Sequence, residues 1–187
     1  MASEIVLVRH GATEWSENGR HTSHTDLPLT NQGRAEAEQL CPRVLERHYD
    51  LVVTSPLRRA RDTAELCGVG DRAEVMDLLH EWDYGEYEGL TTQQIRETVP
   101  GWTVWTGACP GGETASEVGE RADEVLTRFD AVEGLVAVFS HGHFLRVVIA
   151  RWLGLAPTDG RLFALATSTL TVLGYERDTR VLTQLNG

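Results

Sequence analysis

The chain has 187 residues, 41% of them hydrophobic, and its 17 basic and 28 acidic side chains leave a net charge of −11. At roughly 100–200 residues per domain this suits a single domain spanning 1–187, and so acidic a surface repels nucleic acid and anionic membranes, leaving any anion to a local basic pocket. Cys41, Cys67 and Cys109 are odd in number, far apart and without CxxC spacing, which argues against a disulfide framework or a zinc knuckle and fits a reducing cytoplasm.

In chain order, "EIVLVRH" is a short apolar, β-branched run that stops at Gly11, as a buried strand entering a loop would. Its apolar part, about four residues, is too short for a signal peptide or a membrane span. After a polar loop, Ala37, Leu40, Cys41, Val44 and Leu45 make one helical stripe, with a kink expected at Pro42. "DLVVTS" reads as a second strand, after which Ser55-Pro56 supplies an N-cap and a proline at the first helical position. "RAEVMDLL" reads as a third strand. Thr91 with Gln94 forms a capping box opening a helix that ends near Pro100, and Val118, Ala122, Val125, Leu126 and Phe129 stripe a long helix between Ala115 and Val132. "GLVAVFS" is a buried strand by composition and "FLRVVIARWLG" a largely buried helix. "LFALATSTLTVLGYE" and "TRVLTQLNG" close the chain as two strands with a turn near Asp178. Strands alternating with helices predict an α/β three-layer sandwich with a mainly parallel central sheet.

Ligands of open α/β sheets bind beyond the carboxyl ends of the strands. There the first strand ends in Arg9-His10-Gly11, the second leads through Ser55 to Arg58, Arg59 and Arg61, the third runs into His80-Glu81, and "GLVAVFS" ends in His141-Gly142-His143. Each piece alone is weak. A single histidine after a strand is more often structural, and arginines along a helix are usually a solvated face. His141 and His143 could also ligate a metal. Their expected neighbours are arginines, however, which disfavour a divalent cation and favour a phosphate, and guanidinium is well shaped to hold two phosphate oxygens.

Taken together the stretches resemble the histidine phosphatase superfamily, which includes cofactor-dependent phosphoglycerate mutases and many phosphatases. "LVRHGATEW" resembles its RHG signature, "SPLRRARDTA" its S-x-L-x-R-A-x-x-T stretch, and "LHEWDYGEYEG" its L-x-E-x-x-x-G-x-x-E-G stretch. "PGGET" is similar to its P-x-G-E segment and "SHGHFLR" to its second-histidine motif. The resemblance implies a phosphoglycerate mutase-like fold and makes His10 the nucleophile, with Arg9, Arg59, His141 and Gly142 around the phosphate. It makes Glu81 the proton donor to the leaving alcohol, in a role that burial beside Trp82 would favour. Thr22 and Ser23 fall where the mutases approach substrate. Ser16 stands where the common pattern has a phosphate-contacting asparagine. His143 is expected to support its turn, Arg58 and Arg61 to lie at the surface or rim, and Trp82, Tyr84 and Tyr87 to pack around the site.

A brief segment between Glu81 and His141, and "WDYGEYEGL" with "WTVWTGACPGGE", look like the acid phosphatase and sedoheptulose bisphosphatase-like members. The expectation is a cytoplasmic, metal-independent and cofactor-free phosphatase of small phosphorylated metabolites, sugar phosphates first, without nucleic-acid or membrane partners. It could form a homodimer through the apolar edge near the last strand. A phosphoglycerate mutase is the alternative. A non-catalytic phospho-ligand binder is a third reading, against which stands the presence of both His10 and Glu81.

Overall fold

The computed structural model describes residues 2–187. The opening apolar run forms β1 (Ala2–Arg9). Thr13 then caps α1 (Glu14–Asn18), a short helix in the stretch that composition reads as loop. α2 (Asn31–Leu45) starts at the N-cap Thr30, well before its apolar stripe, and contains Pro42 in its C-terminal part, where the Glu46 N–H bonds back to the Pro42 carbonyl. β2 (Leu51–Thr54) follows as expected.

The next helix corrects the sequence reading. α3 (Arg58–Leu66) has Leu57 at its N-cap with no side-chain bond, in place of a Ser55 cap followed by Pro56. The Ser55 hydroxyl is committed elsewhere, 2.7 Å from His141 Nε2, and only reaches the Leu57 N–H at 3.3 Å. The third strand is also shorter than read: β3 is Ala73–Val75, after which the chain turns through a 3-10 stretch at Asp77–Leu79. β2 ends at Thr54, whose carbonyl takes the Met76 N–H, so no backbone remains to pair with residues beyond.

α4 (Thr92–Thr98) opens on the Thr91–Gln94 capping box, and α5 (Ala115–Asp130) on a second box formed by Thr114 and Glu117. β4 (Gly134–Ser140), α6 (Gly142–Trp152), β5 (Leu170–Glu176) and β6 (Thr179–Gln184) complete the chain.

All six strands form one sheet in the order β3-β2-β4-β1-β5-β6. The first four are parallel, and β5 and β6 are added antiparallel on one side. Alternation along each strand sorts its side chains to two faces. Ile5, Leu7, Val136 and Val138 pack with Val118, Val125 and Phe129 of α5 and Leu145 of α6. Val6, Val8, Ala137 and Phe139 pack with Leu40 and Val44 of α2 and Ala64 of α3. Each such fully buried side chain stabilises the fold by about 1.5–3 kcal/mol, and both helical layers are thereby fixed on the sheet as the three-layer sandwich.

This topology positions the site. β4 lies between β1 and β2, with Arg9 beside Ser140 and Thr54 beside Phe139, so the three strands end level and release His10, Ser55 and His141 at one edge. Gly33 lets the first turn of α2 press onto the loop after His10: a Cβ there would meet the Ala12 carbonyl oxygen at 2.2 Å.

Candidate active site

His10 follows β1 directly and donates its backbone N–H to the Ser140 carbonyl at 3.0 Å. Its Nδ1 lies 2.7 Å from the Gly11 carbonyl oxygen. A carbonyl only accepts, so Nδ1 carries the proton and Nε2 keeps its lone pair. Burial, then the charges of Arg59 and Arg9, hold the ring well below the usual histidine range and keep it neutral. A neutral imidazole with one nitrogen tied to backbone and the other bare has the form that nucleophilic attack requires.

His141 lies beside it, the two ring centroids 5.1 Å apart. Its Nδ1 accepts from Arg59 Nε at 3.1 Å, so Nε2 carries its proton and donates to Ser55 Oγ at 2.7 Å. Burial and the Arg59 charge hold this ring well below the ordinary range as well. Arg59 is fully buried and also donates through Nη1 to the Thr25 carbonyl and through Nη2 to the carbonyls of Thr22 and Ser23. Arg59 and His141 thus form the rear of the site. Neither lines the cleft in front, which measures about 420 Å³.

Arg9 and Glu81 do line it. Arg9 donates through Nη1 to the Leu165 carbonyl, while its Nε is a buried donor without a partner. Gly142 permits the approach of α6 to this guanidinium, since a Cβ there would sit 3.2 Å from Arg9 Cζ. The Glu81 carboxylate accepts three backbone N–H groups, Trp82 at 2.9 Å and Phe144 at 2.8 Å on Oε1 and His143 at 3.0 Å on Oε2. The latter two belong to the first turn of α6, whose N-cap His141 offers no side-chain bond, so Glu81 caps this helix from another part of the chain. Burial beside Trp82 is therefore half of its environment, and three amide donors are the other half.

The remaining candidates separate. Thr22 and Ser16 line the cleft. Ser23 does not: it is buried, its N–H donating to Glu88 Oε1 and its carbonyl accepting from Arg59. The Ser16 hydroxyl works locally, closing the capping box of α1 with Thr13. Arg58 is exposed and pairs with Asp62, and Trp82 is wholly in the core. His143, read as a turn support, is instead part of the cleft wall, its Nδ1 2.6 Å from Tyr84 Oη.

The sequence reading passed over Arg121. It lies in the striped face of α5 between Val118 and Ala122 and bonds the carbonyls of Leu78, His80 and Glu81, with both Glu113 oxygens completing its shell. A charged residue on an apolar helical face was the available signal. Arg121 fixes the segment that delivers Glu81, and Glu113 holds Arg121 while its Oε2 also accepts the Asp83 N–H at 2.8 Å. Among the described residues no group of three or more His, Cys, Asp or Glu side chains could hold a metal ion, and no helix is long and apolar enough to cross a membrane.

The profile of the histidine phosphatase superfamily (branch 1) matches residues 5–187. The chain belongs to this superfamily. It is 46% identical over 187 residues to an acid phosphatase of Mycobacterium tuberculosis, covering 97% of this chain and 91% of that one. It is 35% identical over 187 residues to the sedoheptulose 1,7-bisphosphatase of Saccharomyces cerevisiae, covering 83% and 69%. The solved structure of a mycobacterial glucosyl-3-phosphoglycerate phosphatase in complex with VO3 superposes with a TM-score of 0.89 at 28% identity and covers all of both chains. With these relatives, this member of the superfamily is a phosphomonoesterase.

Proposed function

We propose that the chain hydrolyses small phosphomonoesters, sugar phosphates foremost, through a phosphohistidine on His10. The observation that carries this reading is the His10 ring, neutral, with Nδ1–H held by the Gly11 carbonyl and Nε2 bare on the cleft that Arg9 and Glu81 share. Nε2 attacks phosphorus as the ester P–O bond breaks, and protonated Glu81 gives its proton to the departing alkoxide. Water then attacks the phosphohistidine, Glu81 takes the water proton, and inorganic phosphate leaves. Arg9 faces the charge that grows on the phosphoryl oxygens, the main requirement of phosphoryl transfer. Two relatives named for phosphorylated sugar derivatives support the substrate class.

The test is rapid acid and base quenching with ³²P-labelled substrate. An acid-labile, base-stable label, absent together with turnover in His10→Ala, is expected, with activity unaffected by EDTA. Label on another residue, or turnover surviving in His10→Ala, would refute the phosphohistidine. Transfer of label to glycerates in preference to water would instead make the enzyme a mutase.

A further inference from the structure

In that reading the transferred phosphoryl group meets His10 beside Arg9 and Glu81 in the cleft. Beyond Arg9, His10 and Glu81 the wall carries Arg20, Arg96, Arg146, His21 and His143, and of the chain's 28 acidic residues Glu81 alone lines it. A protein of net charge −11 thus keeps one carboxylate in its cleft against four arginines, an arrangement that focuses a positive field on an anionic ligand.

The three further arginines on this wall also carry no carboxylate partner among the described residues. Seven arginines elsewhere, Arg121 and Arg180 among them, each hold a carboxylate. Among the described residues Arg20, Arg96 and Arg146 hold none. Arg96 is steadied by its Nε on the Trp102 carbonyl at 2.7 Å, with no bond made by its terminal nitrogens. Arg146 donates Nε to the Gly160 carbonyl at 3.0 Å and lies over the Trp105 ring, 4.5 Å from its centroid. Guanidinium stems anchored this way present their remaining N–H groups with little further loss of rotamer freedom.

His143 adds a neutral donor. Tyr84 is buried, and its hydroxyl has His143 Nδ1 as its sole hydrogen-bond partner among the described residues. Were Nδ1 protonated, the Tyr84 O–H would be stranded without an acceptor. Tyr84 therefore donates to Nδ1 and the proton of the imidazole sits on Nε2, which makes no bond to the described residues. Burial keeps His143 well below the usual histidine range and Tyr84 well above the usual tyrosine range, so the pair stays neutral in this arrangement.

We propose that Arg146, Arg96 and Arg20, with His143 Nε2–H, form a second anion subsite, and that the leaving alcohol of the substrate carries a second phosphate or a carboxylate. This rests on the phosphatase reading for the His10 part of the cleft and adds the chemistry of the rest. The test compares kcat/KM for fructose 1,6-bisphosphate against fructose 6-phosphate, and for 3-phosphoglycerate against glycerol 3-phosphate, in wild type, Arg96→Gln and Arg96→Gln/Arg146→Gln. Preference for the first pair assigns a phosphate to the subsite, and preference for the second a carboxylate.

About tenfold or more is expected for the favoured doubly charged substrate, as a charge-assisted hydrogen bond warrants. The ratio should shrink in Arg96→Gln and approach one in the double variant, and raised salt should erode it. No preference in either pair for the wild type, or a preference intact in both variants, overturns the subsite. Because Arg146 also packs, Arg96→Gln, exposed and tied only to one carbonyl, carries the comparison if the double variant unfolds. Should the wild type release no phosphate from any substrate, the phosphatase reading fails by itself. The subsite is then read from thermal stabilisation by fructose 1,6-bisphosphate over fructose 6-phosphate, with equal stabilisation refuting it.

Discussion

Arg59 and Arg9 both flank the neutral His10, and their hydrogen bonds divide the site into a rear and a front. Arg59 is wholly buried, with bonds to His141 Nδ1 and to the carbonyls of Thr22, Ser23 and Thr25. Arg9 lines the cleft, is bonded to the Leu165 carbonyl, and has a buried Nε without a partner. A donor group with four of its five N–H bonds made within the protein contributes chiefly to the fold. One with spare donors can still gain a bond when an anion arrives. The rear of the site is thus the more fully bonded half, and the front keeps the more open donors.

The strongest way to break this division is to truncate both arginines. Arg59→Ala strips several buried acceptors of their donor and should cost about 3–5 kcal/mol of stability, as loss of a buried network does. Arg9→Gln should lower kcat by about 10²–10³, the usual cost of one preorganised donor, with a far smaller change in Tm. Thermal melts beside initial rates on p-nitrophenyl phosphate read both quantities. A normally stable Arg59→Ala would erase the distinction.

Glu81 straddles the two halves, capping α6 while lining the cleft, and Glu81→Gln separates its roles. The amide NH₂ would face N–H donors of the α6 turn, at about 1–3 kcal/mol of stability. On an alkyl phosphate, turnover should fall by about 10²–10⁴, the range of general acid catalysis. On p-nitrophenyl phosphate, whose leaving group needs little protonic help, the loss should be much smaller. Equal losses on both substrates would reduce Glu81 to its capping role.

Acid sharpens the comparison from another side. His10, His141 and His143 are held well below the usual histidine range by burial, and His21 is lowered by burial to about 4. Below about pH 6.5 the unfolded chain binds protons that these rings refuse when folded, so stability falls as pH falls. Each proton adds about 1.4 kcal/mol per pH unit to that slope. For His21 the loss runs from about pH 6.5 to about 4, and for the other three it continues below the ordinary range. Denaturant melts from pH 7 to 4 should show the decline, flattened in His21→Asn. The same shift leaves His10 unprotonated in mild acid, so the low-pH limb of kcat should lie well below pH 6.5. A limb at 6.5 would contradict a buried neutral nucleophile.

The smallest effect is expected at Ser16. Its hydroxyl closes the capping box of α1, and asparagine also occurs at this position in the family pattern, so Ser16→Asn should keep turnover within a few fold and lose at most about 1 kcal/mol of stability. A large gain in KM would show that the hydroxyl reaches the substrate.

Much of this was legible in one dimension. The parallel sheet and the helices packed on it follow from apolar runs alternating with stripes at 3.6-residue spacing, because burial in an α/β sandwich imposes those periods directly. His10, Glu81 and His141 could be singled out because strand ends converge at one edge of such a sheet and the surrounding motifs are ordered and specific. The capping boxes at Thr91 and Thr114 needed only residues close in sequence.

Hydrogen-bond choices made across long chain separations were not legible. Ser55 looked like a helix cap until the fold brought His141 to it, and His143 looked like a turn residue until Tyr84 approached its Nδ1. Arg121 appeared as an interruption in an apolar stripe, and only the packed structure gave it the carbonyls around Glu81 to hold. Local patterning is dictated by the solvent, which every residue meets alone. Which polar group satisfies which is decided when the layers close and water is excluded, and that allocation separates the bonded rear of this site from its open front.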